Sequence, residues 1–300
     1  MDTVHPESTR VGWIGTGVMG RSMCSHLLKA GYKTSVYNRS PAKLNDLISL
    51  GAASCSNPQE VARQSDVVFS MVGYPSDVDE VILGQQGVLA GIAPGSVIVD
   101  MTTSRPGLAK KISAAAVSKG CLALDAPVSG GDIGAREARL SIMVGGAIEA
   151  FDALIPIWKL MGTTYVHQGP AGSGQHTKMV NQILIASAMV GLCEAMLYAK
   201  QTGLDPELVL KSVSSGAAGS WSLSNLTPRI LKQDYAPGFF VEHIVKDLSI
   251  AIEEAERVGL ELPGLINAKK AYEYLKSMGY GKSGTQSLIL GIANQNAMEW

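Results

Sequence analysis

Short apolar runs alternate with helical patterns through the first half of the chain. The runs are Arg10 to Ile14, Lys33 to Tyr37, Asp66 to Val72, Ser96 to Asp100, Leu122 to Ala126 and Leu140 to Val144. Between the first two, Met23, Leu27 and Leu28 fall at helical spacing, and Gly31 stands where a helix C-cap glycine belongs. Gly95 and Gly120 each precede a later run, while Pro75 and Pro127 each follow one, which is the punctuation of turns. This rhythm predicts a parallel sheet wrapped by helices. From about Gly169 the strand signals stop, and Gln175 to Gly203, Pro206 to Ser214 and Val241 to Gly259 carry apolar residues at i, i+3 and i+4. The pattern therefore predicts an α/β protein, with an N-terminal domain over residues 1–168 and an all-helical C-terminal domain over residues 169–300. The join lies in the short Gly/Pro cluster His167 to Gly174.

The first strand-to-helix turn suggests what the N-terminal domain binds. It reads Gly15-Thr16-Gly17-Val18-Met19-Gly20, a GxGxxG spacing. In such a turn the first glycine permits the bend, the second lets the backbone approach a pyrophosphate, and the third allows the helix to pack on the strand. The phosphates then face the helix N-terminus, where free N–H groups and the positive end of the dipole favour an anion. Because the turn opens a strand–helix–strand unit, a Rossmann dinucleotide-binding domain is expected, with Gly15, Gly17, Val18, Met19 and Gly20 at the cofactor. The second strand ends in Tyr37-Asn38-Arg39-Ser40, which offers no carboxylate for ribose hydroxyls. A guanidinium with two short polar side chains suits a 2′-phosphate, so NADP(H) is favoured over NAD(H), with Asn38, Arg39 and Ser40 as contacts.

Composition narrows the partners. The chain has 300 residues, 46% hydrophobic and 17% charged, enough to bury a sizeable core in two domains. A formal net charge of -1 gives no support for a nucleic-acid or anionic-membrane surface, which leaves small molecules as the expected partners. Cys24, Cys55, Cys121 and Cys193 are widely spaced and read as reduced core thiols. The stretch Met1 to Arg10 lacks the order of a secretory or transit signal, so a cytoplasmic location is expected. Met179 to Ala199 is the most apolar long run, but Asn181, Gln182, Ser187 and Glu194 interrupt it, which predicts a buried helix of a water-soluble protein. The five histidines show no metal-ligand spacing, and no metal is expected.

Cofactor binding alone specifies no reaction. The candidate catalytic group is Lys178, in Gly172-Ser173-Gly174-Gln175-His176-Thr177-Lys178-Met179-Val180-Asn181-Gln182, at the start of the longest predicted helix. Asn181 at i+3 and Gln182 at i+4 share its face, so one ammonium and two amides project together. Reduction of a carbonyl leaves charge growing on oxygen, and an ammonium nearby can protonate the forming alkoxide; the neutral amine serves the reverse reaction. Burial against a cofactor should lower the pKa of such a lysine towards the working pH. A surface lysine on an exposed turn is the ordinary alternative, against which the preceding glycines and flanking apolar residues argue. His176 and His243 have no carboxylate partner at a spacing that would single them out as acid or base.

With these motifs in order the chain resembles the β-hydroxyacid dehydrogenase family, which contains 3-hydroxyisobutyrate dehydrogenase, tartronate semialdehyde reductase and the plant glyoxylate/succinic semialdehyde reductases. The resemblance runs nearly end to end, through the Gly-rich turn with Met19, Asp125-Ala126-Pro127-Val128-Ser129-Gly130-Gly131, the GxGxxxKxxN pattern ending at Asn181, and Lys246-Asp247-Leu248. Val72-Gly73-Tyr74-Pro75-Ser76-Asp77 and the ending towards Gly284-Thr285-Gln286 are similar to the plant-type 3-hydroxyisobutyrate dehydrogenase-like proteins. The resemblance implies that Ser129, Gly130 and Gly131 hold a substrate carboxylate, that Asn181 orients the substrate, and that Lys178 is the general acid/base. It also implies that Thr103 and Lys246 complete the cofactor side. Successive N–H groups and a hydroxyl in a glycine-permitted turn do make a compact anion site. The chain departs from the family at Ala138, where relatives carry Gly, at the bulky Arg139, and at Thr102 in place of Ser.

The resulting expectation is an NADP(H)-linked oxidoreductase acting on a short carboxylate-bearing hydroxy acid or its semialdehyde or oxo acid, in a homo-oligomer, dimer or tetramer, as is common in the family. A 6-phosphogluconate-type oxidative decarboxylase would place His then Asn after the lysine, where this chain has Asn181 and Gln182. Imine reductases usually lack the lysine altogether. A non-catalytic NADP(H)-binding sensor would have no use for Ser129, Lys178 and Asn181.

Overall fold

The computed structural model describes residues 2–300; Met1, the first residue of the stretch read for a targeting signal, lies outside them. Strands β1 (Arg10–Ile14), β2 (Lys33–Tyr37), β3 (Ala53–Ser54), β4 (Val67–Ser70), β5 (Val97–Asp100) and β6 (Leu122–Asp125) pair in parallel in the order 3-2-1-4-5-6. The chain reverses its winding between β1 and β4, and in such sheets ligands bind beyond the carboxyl ends of the strands at that switch point. β4 and β5 are buried along their whole length, which is why they read as unbroken apolar runs. Alternate residues feed two core layers. Trp13 stacks on Phe69 at 5.3 Å between ring centroids and Trp158 meets Phe69 edge-on at 6.2 Å in one layer, and Ile14, Val68 and Ile98 join Val78 and Ile82 in the other.

The parallel arrangement does not extend to the end of the sheet. β8 (Leu140–Gly146) runs antiparallel to both β6 and β7 (Val128–Ser129), and β9 (Gly162–Gly169) is parallel to β8. β9 was not expected from the sequence, because its residues alternate between exposed and half-buried and carry no apolar run. It joins through the backbone pairing of an edge strand, and its polar side chains suit that position.

Helices α1 (Val18–Lys29), α2 (Asn45–Ser49), α3 (Pro58–Arg63), α4 (Pro75–Leu83), α5 (Val88–Gly91), α6 (Pro106–Val117), α7 (Gly131–Arg136), α8 (Ile148–Ala153) and α9 (Ile155–Met161) belong with the sheet. α10 (Ser173–Gln201) follows, and then α11 (Pro206–Val213), α12 (Trp221–Leu231), α13 (Val241–Arg257), α14 (Pro263–Ser277) and α15 (Leu288–Gln295). The chain forms two compact units, Met1–Lys178 and Met179–Trp300, so the division falls inside α10. The second unit is helical as expected, with one bridge between Phe240 and Gly284 among the described residues. Its core gathers Met189, Cys193, Ile244, Leu248, Tyr272 and Ile289. α10 is long and apolar enough to cross a membrane by length and composition, yet Gln182 on it is wholly buried and hydrogen-bonded within the second unit. The four cysteines are free and buried.

Ala138 adopts φ 54°, in the left-handed region that favours glycine. The departure from the family noted at this position is therefore a backbone cost carried by an alanine. Ala138→Gly should raise stability by about 0.5–1 kcal/mol, the relief of the left-handed backbone less the flexibility added to the unfolded chain, read from urea unfolding.

Candidate functional site

The three glycines of the first turn meet three different constraints. Gly15 has φ +90°, and a Cβ there would lie 2.2 Å from the Met71 carbonyl oxygen. At Gly20 a Cβ would stand 2.1 Å from the Gly15 carbonyl oxygen, so only glycine lets α1 close on β1. Gly17 is the opposite case, with nothing within 4 Å of its missing Cβ. It also caps α1 without any side-chain hydrogen bond, which leaves the first N–H groups, Val18 to Gly20, to an outside acceptor. An open backbone beside an uncapped helix N-terminus fits a pyrophosphate. Gly17→Ala, at φ -68°, should leave the melting temperature unchanged yet weaken NADPH binding by about tenfold or more, measured by fluorescence titration.

Asn38 ties this turn to the end of β2. Its Oδ1 accepts from the Thr16 N–H at 3.1 Å, and its Nδ2 donates to the Ser40 carbonyl at 3.0 Å. The Arg39 side chain is 83% exposed and reaches Asp77 Oδ1 at 3.4 Å. Asp77 Oδ2 accepts from the Tyr74 N–H, capping α4. So exposed an ion pair contributes at most about 1 kcal/mol, and Arg39 can exchange Asp77 for a phosphate at little cost. The sequence assigns Asp77 no role, since only folding brings the start of α4 beside the end of β2.

Two carboxyls end adjacent strands, with Asp100 on β5 in register with Asp125 on β6. Both are buried, and burial pushes each from its usual 3.8 up to about 6. Asp100 Oδ1 accepts from Ser70 Oγ at 2.9 Å and from the Thr102 N–H at 3.1 Å. Thr102 Oγ1 in turn accepts from the Val72 N–H. Asp125 accepts from the backbone N–H groups of Gly172 at 2.7 Å and Gln175 at 2.8 Å, the start of α10. Gln175 Nε2 donates to the Thr102 carbonyl at 2.7 Å and its Oε1 accepts from the Ser104 N–H at 2.8 Å, so it clasps the loop that carries Thr103. A Cβ on Gly174 would lie 2.4 Å from the carbonyl oxygens of Asp125 and Met143. Glycine here allows the helix to start directly on the sheet, and Lys178 follows one turn later, buried. Asp100, Asp125 and Gln175 had no assigned role in the sequence reading; apolar runs ending in Asp at the carboxyl edge of a parallel sheet were the available signal.

Ser129 ends β7. Gly130 (φ +130°) and Gly131 (φ +65°) follow in conformations that side chains avoid, with no atom within 4 Å of the missing Cβ of Gly131. Gly130 caps α7 without a side-chain hydrogen bond.

Within the second unit a polar chain joins Asn181 to Lys246. Lys246 Nζ lies 2.9 Å from Asp247 Oδ1, Gln182 Nε2 donates to Asp247 Oδ2 at 2.6 Å, and Asn181 Nδ2 donates to Gln182 Oε1 at 2.7 Å. A carboxylate only accepts, so Gln182 must turn its amide nitrogen towards Asp247 and its oxygen towards Asn181. Asn181 is thereby committed to donating, and its Oδ1 is left as an acceptor. Burial first, and then the Lys246 ammonium, push His243 below its usual value.

The predicted residues thus gather into groups. The glycine turn joins Asn38 and Ser40, the start of α10 joins the Thr103 loop, and Asn181 joins Lys246 through Gln182 and Asp247.

Residues 10–169 match the family described as the NAD binding domain of 6-phosphogluconate dehydrogenase, and residues 172–291 match the NAD-binding domain of NADP-dependent 3-hydroxyisobutyrate dehydrogenase. An uncharacterised oxidoreductase of Bacillus subtilis is 54% identical over 93% of this chain and 96% of its own length. The Arabidopsis thaliana protein named "Probable 3-hydroxyisobutyrate dehydrogenase-like 1, mitochondrial" is 51% identical over 98% of this chain and 88% of its own. The solved structure of Mycobacterium tuberculosis 3-hydroxyisobutyrate dehydrogenase with L-serine superimposes with a TM-score of 0.86, at 26% identity, covering 95% of this chain and 99% of that one.

Proposed function

Since the chain belongs to the β-hydroxyacid dehydrogenase family and is an NAD(P)-dependent hydroxyacid dehydrogenase, we propose that it interconverts a short 3-hydroxyisobutyrate-like hydroxy acid and its semialdehyde with NADP(H), and that Lys178 handles the proton. One observation carries the reading. In the first unit, the open turn at Gly17 lies beyond the carboxyl end of β1, and the helix start that presents Lys178 is fastened to the carboxyl ends of β5 and β6 in the same parallel sheet.

Gly15, Gly17, Val18, Met19 and Gly20 would hold the pyrophosphate, Asn38, Arg39 and Ser40 the 2′-phosphate, with Thr103 and Lys246 as further contacts. When bound, the nicotinamide exchanges a hydride with the substrate carbon. The Ser129 hydroxyl and the N–H groups of Gly130 and Gly131 bind the carboxylate, which fixes one end of the substrate. Asn181, its donor side held by Gln182, offers Oδ1 to the substrate hydroxyl. Lys178 protonates the forming alkoxide in reduction and takes the hydroxyl proton in oxidation. L-Serine, present in the mycobacterial structure, is itself a 3-hydroxy acid, which supports a substrate of this shape.

The test is turnover of purified protein with NADPH and glyoxylate, succinic semialdehyde, methylmalonate semialdehyde or tartronate semialdehyde. At least one should oxidise NADPH; silence across the panel, with NADPH still bound, would favour a binding module instead. Arg39→Ser should weaken NADPH binding by about 10- to 100-fold while leaving NADH unchanged, as loss of charge-assisted hydrogen bonds to a phosphate requires. An equal effect on both cofactors would refute the assignment of Arg39.

A further inference from the structure

Lys178 stands three residues beyond Gln175, about 4.5 Å further along the axis of α10. Helical side chains lean towards the N-terminus, so the lysine stem leads back over the turn that begins at Ser173. The donors of that turn converge on one carboxylate, as the Gly172 N–H meets Asp125 Oδ1 at 2.7 Å and the Gln175 N–H meets Oδ2 at 2.8 Å. Asp125 is itself closely enclosed. It ends β6, only 3% of it is exposed, and a Cβ on Gly145 of β8 would come within 2.7 Å of its Oδ1.

We propose that Asp125 is the positioning residue for Lys178, fixing by its two backbone hydrogen bonds where α10 begins and placing a negative charge at the helix end over which the amine leans. The proposal rests on the reading of Lys178 as the general acid/base. Gln175 assists, because its amide clasps the Thr102 to Ser104 loop from the same turn. An aligned helix end is equivalent to about half a positive charge, which would lower the proton affinity of a nearby ammonium, and Asp125 offsets it. The charged and titratable groups on the elements packed against Asp125 are Asp100, in register with it on β5, Lys110 of α6, which lies beside Gly172, and His176 and Lys178 along α10; β8 contributes Met143 and Gly145. Burial works against this charge and raises the carboxyl to about 6, while the backbone donors oppose that rise, so it is largely ionised at neutral pH.

The test compares Asp125→Asn, Gln175→Met and Lys178→Ala in the full chain, with kcat, KM, NADPH affinity and the pH profile of the reduction measured for each. In Asp125→Asn the amide nitrogen faces a backbone N–H, so α10 loses an anchor as well as a charge. Its kcat should fall about tenfold or more with NADPH affinity within about threefold, and the alkaline limb of kcat should move to lower pH by about half a unit or more. Gln175→Met keeps the carboxylate, so its kcat should fall about fivefold with the limb unmoved. A folded Asp125→Asn whose kcat and pH profile overlay those of the parent overturns the proposal. If that variant does not fold, an unchanged kcat in Gln175→Met overturns it instead. An active Lys178→Ala would refute the acid/base reading itself, whereas an inactive one beside an unaffected Asp125→Asn refutes only the positioning role.

Discussion

Lys178→Ala should lower kcat by about 10²- to 10⁴-fold in both directions while leaving NADPH affinity within about twofold, because general acid–base catalysis is worth about that much and the phosphate contacts lie elsewhere. The split matters more than the loss. A lysine serving only to fill space would, once removed, open a cavity and raise KM or lower the melting temperature, with kcat less affected. Lys178→Arg sharpens the point, since a guanidinium keeps the positive charge but does not release its proton in the working range. If proton transfer is the role, the arginine variant is about as slow as the alanine variant at pH 8. If fixed positive charge is the role, it recovers most of the rate. Restoration of Lys178→Ala by added methylamine, first order in the free amine for oxidation and in methylammonium for reduction, would identify proton transfer directly; steady-state rates at several amine concentrations supply that measurement.

The features legible in the sequence are those in which one residue type meets one local constraint. Gly15, Gly17 and Gly20 were separable in advance because bending, open approach and close packing are different demands made within six positions, and each is met in the structure. Lys178 with Asn181 and Gln182 was legible for a similar reason, as helical spacing alone decides a shared face. Asp125 was not. Its partners at Gly172 and Gln175 lie 47 and 50 residues away, and its neighbour Asp100 is set beside it only by the register of two parallel strands. The pairing of Asp77 with Arg39, 38 positions away, was hidden in the same way. β7 and β9 were missed because a two-residue strand and a half-exposed edge strand owe their pairing to β8 and leave little periodicity of their own. α12 was hidden by Pro228 inside it, although Ser220 caps it by accepting from the Leu223 N–H at 3.1 Å.

The contribution of Asp100 to stability should fall as pH rises from about 4 to 7. A carboxyl raised from 3.8 to about 6 holds its proton more tightly in the folded state than in the unfolded chain. Its contribution is therefore intact at acid pH and is drained as the pH climbs through 6, the reverse of the usual salt-bridged aspartate. The rise corresponds to about 3 kcal/mol lost by neutral pH. Other carboxylates, such as Asp66 held low by the Arg10 guanidinium, oppose this trend, so the net slope of the parent protein does not isolate the effect. The difference between Asp100→Asn and the parent does. The Asn oxygen can keep the hydrogen bonds from Ser70 and Thr102, and any penalty for its new amide nitrogen is the same at every pH. Urea unfolding of both proteins between pH 4 and 7.5 should show the variant gaining on the parent by about 2–2.5 kcal/mol across that range, the remainder of the total having been lost below pH 4. A constant difference would mean that Asp100 is ionised in the fold without penalty, and that the hydrogen bonds from Ser70 and Thr102 outweigh its burial.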